Sequence, residues 1–186
     1  MEPAQKLAVM LDHQTVLYII NLVIYILFGI ILVVLVLAIF ECLNDNSHVL
    51  AMISAAFGLI WAGLVIAGGM IANIGTEVVI ELYSKDPVQA TSVWLAIDSV
   101  VEALGGGNEI IGGFWTLLVS LAALRANLFP KILNYLGGII GLAGILSAIP
   151  ALGELGGMIF GLGQIVWFIW LGIAMLSNRT KLAYPK

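Results

Sequence analysis

The sequence predicts an all-α fold, a polytopic transmembrane helix bundle of six spans forming a single transmembrane domain. Three observations predict it. Hydrophobic residues make up 62% of the 186 positions and charged residues only 10%, whereas soluble domains carry about a quarter charged residues, so lipid has to act as the solvent. Uncharged apolar stretches long enough to cross a bilayer recur along the chain. The 21 glycines against 5 prolines fit helices that pack closely in lipid.

Taken in order, residues 1–15 are mixed in character and fit a short amphipathic segment at a membrane surface. Val16 to Phe40 follows with 25 uncharged residues, enough to cross about 30 Å of hydrocarbon with some tilt. It is longer than the apolar core of a signal peptide and lacks a small-x-small cleavage site, so it reads as a retained helix. Glu41 to His48 is a polar connector in which Asn46 or Ser47 suits a helix N-cap. The second span covers 49–73, and its helical pattern continues through Glu77 and Glu81.

Asp86-Pro87 is a clear helix start, an N-cap residue followed by proline at the first helical position. The helix it begins ends at Gly105-Gly106-Gly107, and its 87–104 core would rise about 27 Å, just sufficient to span. The remaining spans fall at 109–124, 132–149 and 155–177. Gly137, Gly141 and Gly144 share one face of the fifth, and Gly153, Gly157 and Gly161 form two overlapping GxxxG units at the start of the sixth. Small residues at that spacing let backbones approach, so the last two helices are expected to pack on each other.

The third span decides the count, because Asp98 near its centre costs about 2.5 to 3.5 kcal/mol to insert. The alternative is five spans with an interfacial helix at 87–104. Charge favours six. With the N-terminus inside, Lys6, Lys85, Arg125, Lys131, Arg179, Lys181 and Lys186 all fall on the cytoplasmic side, while the opposite loops hold Glu41, Asp45, Glu109 and Glu154. This orientation implies a multi-pass protein of the cell inner membrane with both termini cytoplasmic.

Several function classes are excluded by composition. A formal charge of -4 with seven Lys and Arg leaves no basic face for nucleic acid. Cys42 is alone and His13 and His48 are the only histidines, so neither a disulfide nor a histidine-rich metal site is expected. No GxSxG, HExxH, Walker loop or strand-linked GxGxxG occurs. The expectation is a protein that is not an enzyme, with no cofactor and no metal.

Asp98 and Glu102 stand at i and i+4, on one helical face with Trp94. No Lys or Arg lies within a predicted span to neutralise them, so they are protonated, face water, or hold a cation. They are the candidate intramembrane proton or cation site. Glu77 with Glu81 and Glu41 with Asp45 form two further acidic pairs, which the topology puts on opposite membrane faces. Asn21, Asn73, Asn134 and Gln164 suit interhelical hydrogen bonds worth roughly 0.6 kcal/mol each.

The stretch Leu117 to Leu146 carries a helix ending at Arg125, a short apolar step, Phe129-Pro130-Lys131, and then a helix opening on Leu136-Gly137. In this it resembles an uncharacterised bacterial family of integral membrane proteins with about six helices, a domain of unknown function. The resemblance implies six helices and an inside position for the 125–131 loop. It implies no activity and no catalytic residue, and the acidic third helix has no counterpart in its pattern.

Small size, glycine-lined faces and short loops lead to the expected function: an accessory or scaffold subunit of a membrane complex, working through intramembrane contacts. Its expected partners are membrane lipids and either another membrane protein or further copies of itself. The alternative is a small proton- or cation-coupled carrier using Asp98 and Glu102.

Overall fold

The computed structural model describes residues 3–106 and 108–183, and within these leaves out the side chains of 3–6, 8, 45, 46, 106 and 178–183. The described residues form helices α1 (Pro3–Asp12), α4 (Pro87–Val101), α5 (Glu109–Ala126), α6 (Lys131–Leu146) and α7 (Gly153–Ala183). Between α1 and α4 run α2 (Gln14–Asn44) and α3 (Ser47–Tyr83). Wide π turns interrupt α2 at Leu22–Leu27 and extend α4 over Glu102–Gly106. This is the helical bundle expected, and its apolar composition makes it that of a membrane protein.

Four stretches are long and apolar enough, by length and composition, to cross a bilayer: Gln14–Asn44, Ser47–Tyr83, Pro87–Ala126 and Gly153–Ser177. The expected third and fourth spans together make up the 40-residue stretch Pro87–Ala126, and the expected fifth is the shorter apolar helix Lys131–Leu146. Gly107, in the expected break between the third and fourth spans, lies outside the described residues.

The expected connector at 41–48 is a tight kink between two helices: α2 ends at Asn44 and α3 begins at Ser47, whose backbone is non-helical at φ -153° and ψ 47°. Leu43 is fully buried beside it. His48 Nδ1 and Asn44 Oδ1 lie 2.6 Å apart across the kink.

The chain divides into two compact units, Met1–Val33 with Trp61–Asn108, and Val34–Ile60 with Glu109–Lys186. In the first, Leu7 of α1, Val79 of α3 and Ala90 of α4 form a buried cluster, with Leu11, Trp94 and Ile97 packed against it. The N-terminal segment is therefore a docked helix. Asp86 caps α4 as expected, its carboxylate accepting from the amides of Val88 and Gln89 at 3.0 Å each, and Pro87 takes the first turn. Beyond the π turn, the indole N–H of Trp61 donates to Asn108 Oδ1 at 2.9 Å, and Asn108 Nδ2 donates to the Leu104 carbonyl at 2.7 Å.

The second unit is centred on α5, α6 and α7. Trp115 and Trp167, both almost fully buried, meet edge to face with centroids 5.7 Å apart. Such pairs contribute about 0.5 to 1.5 kcal/mol beyond their buried area. Asn127, with φ 51°, turns the chain out of α5, a conformation that asparagine adopts more readily than most residues.

Candidate functional site

The first unit holds a cleft of about 140 Å³, and both expected carboxylates line it. Helical periodicity explains how. On α4 and its π turn, Trp94, Ile97, Asp98, Val101 and Glu102 follow the i, i+3, i+4, i+7, i+8 pattern of one face. On α2, Leu17, Asn21 and Tyr25 repeat every four residues, and α3 adds Ala72, Gly75 and Thr76. Asp98 and Glu102 are exposed within the chain, and among the described residues no Lys or Arg lines the cleft.

Glycines bring these walls together, because a side chain at four positions would meet its neighbour. A Cβ on Gly75 would stand 2.6 Å from Ile97 Cγ2, which lets α4 approach α3. One on Gly69 would stand 2.5 Å from Tyr25 Cβ, and one on Gly105 would stand 2.6 Å from Tyr25 Cε1. Tyr25 is thus held between α3 and the turn after α4. At Gly68 the nearest atom is Cα of Gly105, 3.3 Å from the ideal Cβ position, so backbone faces backbone.

Tyr25 lies in one π turn and Glu102 opens the other. Such turns are rare and often occur at functional sites. Beside the cleft, Asn21 Nδ2 donates to Asn73 Oδ1 at 3.1 Å, the interhelical role expected of both residues. Sequence reasoning found Asp98, Glu102 and Trp94 but missed Tyr25, Thr76 and the glycine seat. The available signal was Gly68 and Gly75, seven residues apart and so on one face of α3.

The other expected residues lie in the second unit. On α6, Gly137, Gly141 and Gly144 are buried. The Cβ position of Gly137 falls against Ser120 Oγ and Trp167 Nε1, that of Gly141 lies 2.7 Å from the Gly113 carbonyl, and that of Gly144 lies 2.7 Å from the Glu109 carbonyl. This face therefore packs chiefly on α5, with Trp167 and Phe160 of α7 closing over it.

On α7 the expected glycine face is turned away. Gly161 has nothing within 4 Å of its Cβ position, Gly157 meets only the Glu109 carboxylate at 3.4 Å, and Gly153 meets only the Ser147 carbonyl at 3.3 Å. The close contacts belong to Gly156, 2.7 Å from the Ala143 carbonyl, and Gly163, 2.7 Å from Ile140 Cγ1. Each residue turns a helix by about 100°, and the large side chains Phe160, Gln164 and Trp167 set the buried face.

Gln164 receives the Thr116 hydroxyl at 3.1 Å, an interhelical bond as expected, whereas Asn134 reaches only the Phe129 carbonyl at 3.4 Å in the preceding connector. Ser120 Oγ, Gln164 Nε2 and Trp167 Nε1 are buried without a partner. Among the described residues, no group of three or more His, Cys, Asp or Glu side chains is placed to hold a metal.

No curated protein and no solved structure matches this chain. One family does, and it covers the cleft, both units and most of α7: over residues 1–174 the chain matches, and belongs to, the family described as Domain of unknown function (DUF4386).

Proposed function

We propose that the protein is a small proton- or cation-coupled carrier of the cell inner membrane, with Asp98 and Glu102 as the groups that take the proton or cation. The observation that carries this reading is the shared cleft: two carboxylates line one cavity with Tyr25, Asn21, Thr76 and Trp94, and among the described residues no Lys or Arg lines it. Carboxylates inside a membrane protein without a cationic partner are rare and mark ion or proton pathways. Tyr25 and Trp94 offer aromatic faces to an organic cation. Binding and passage require no covalent chemistry, in keeping with a protein that is not an enzyme.

The test is reconstitution into liposomes containing a pH-sensitive dye, with a pH gradient imposed. Wild-type protein is expected to pass protons above the rate of empty liposomes, and Asp98→Asn to lose most of that excess while eluting as the same species in detergent. Equal flux from wild-type and empty liposomes across ammonium, sodium and potassium salts would sink the reading.

The second reading, an accessory or scaffold subunit with lipids and another membrane protein or further copies of itself as partners, is favoured by the open space at Gly161. Small residues facing outward allow a neighbouring helix to come close. Native mass spectrometry from the source membrane decides it: a partner at fixed stoichiometry that is lost in Gly161→Leu supports a subunit, and a lone chain opposes it.

A further inference from the structure

A second cleft, of about 260 Å³, lies in the same unit and is not used by the site above. It is lined by Gln14, Thr15, Tyr18, Asn73, Thr76, Glu77 and Ile80. We propose that it binds a small ammonium compound that also carries a hydrogen-bond-accepting oxygen, the ammonium on Glu77 and the oxygen on Asn73, and that the Asn21–Asn73 bond partitions it from the Asp98 cleft.

Three observations converge on this site. Among the described residues the Glu77 carboxylate makes no ion pair, since Lys85 is bound to Glu81 at 2.8 Å, and among them no Lys or Arg lines the cleft. Its charge favours a cation and opposes a phosphate or carboxylate. Asn73 is only 6% exposed, and just one end of its carboxamide is used, in the bond from Asn21. The remaining end is the Nδ2 donor, so a ligand oxygen that meets it gains a hydrogen bond. The hydroxyl of Thr76 is already bonded to the Ala72 carbonyl at 2.7 Å, which leaves its oxygen lone pairs and those of Thr15 and Tyr18 to receive the ammonium protons.

Size sets an upper limit. Drug-sized ligands occupy pockets of about 300 to 1,000 Å³, and this cleft is smaller, so the bound group is below drug size. Amino alcohols fit the charge, the oxygen and the volume. A phospholipid headgroup of the ethanolamine type carries the same ammonium and oxygen chemistry, and the test separates the two sources.

The partition follows from the linings. Thr76 lines both clefts, Asn73 lines this one and Asn21 the other, and the 3.1 Å bond joins the two asparagines between them. Passage from one cleft to the other therefore requires that bond to open. This step rests on the carrier reading, whereas binding at Glu77 does not.

The experiment is binding of radiolabelled ethanolamine to the full-length protein in phosphatidylcholine nanodiscs, with propylamine as a competitor lacking the oxygen. Saturable binding is expected, with propylamine at least ten-fold weaker. Glu77→Gln should weaken binding at least ten-fold and Asn73→Leu several-fold. Asp98→Asn should leave the Glu77 site intact. Equal competition by propylamine, or unchanged binding in Glu77→Gln, overturns the proposal. Loss of all binding in Asp98→Asn with none in Glu77→Gln overturns it while leaving the carrier reading in place.

Repeating the measurement in phosphatidylethanolamine nanodiscs identifies the source. Blocked binding assigns the site to the lipid headgroup, and undiminished binding assigns it to the free compound; both outcomes require the Glu77 chemistry. For the partition, Asn21→Ala with Asn73→Ala is expected to raise flux through reconstituted protein. Unchanged flux in that double variant, against flux that Asp98→Asn abolishes, removes the partition alone.

Discussion

At the residue scale, glycine has opposite consequences at positions that look alike in the sequence. Gly137 and Gly161 both belong to regular glycine series, yet the first faces Ser120 and Trp167 and the second faces open space. Gly137→Ala is expected to destabilise the protein by about 1 to 3 kcal/mol through overpacking. Gly161→Ala should be neutral or stabilise by up to about 1 kcal/mol, since alanine holds a helix better than glycine. Thermal unfolding in one detergent compares them, and an equal loss would contradict the placement of α7. Ser120 provides a separate check. Its buried hydroxyl has no partner, so Ser120→Ala should leave stability unchanged or raise it by about 1 kcal/mol. The α6 glycine face was legible because its residues repeat at helical spacing. The α7 face was not, because Gly156, Gly157, Gly161 and Gly163 supply two competing registers, and the bulk of Phe160, Gln164 and Trp167 decides between them.

At the element scale, α4 was legible at both ends and its docking was not. Asp86 and Pro87 announce its start, and the glycines after Leu104 announce its end. What fixes its face is distant in sequence: Gly75 under Ile97, and the Leu7–Val79–Ala90 cluster. Gly75→Val should therefore displace α4 and open that cluster. Alanine 90 has no exposed surface, so a cysteine placed there in a Cys42→Ser background is expected to resist a maleimide and to react once Gly75→Val is added. Protection in both proteins would show that Gly75 is not what seats the helix. The connector at 41–48 was legible from its polar composition, and the two long helices do meet there, at the kink of Ser47; how tightly they meet was not, because no glycine or proline marks the turn.

At the scale of the whole molecule, length and charge constrain the topology together. The apolar stretch Pro87–Ala126 has 40 residues, and at 1.5 Å per residue a helix of that length extends about 60 Å, twice the hydrocarbon thickness. One crossing leaves half of it outside the hydrocarbon, whereas two crossings with a turn near Asn108 use all of it. The two cases differ in where Arg125 and Lys131 reside. With the N-terminus inside, a single crossing carries both outside, against the bias of short basic loops towards the cytoplasm, while two crossings return them inside. An interfacial helix at 87–104 with the C-terminus inside instead moves Lys85 outside. Cysteines at Lys85 and Asn127, each in a Cys42→Ser background, separate the three arrangements, because both native residues are exposed. We expect neither to react with an impermeant reagent added to intact cells and both to react after permeabilisation. Outside reaction at 127 alone would establish one long crossing, and reaction at 85 alone would place α4 on the surface. In that last case Asp98 and Glu102 would sit at the interface with water, and the carrier reading would lose its reason.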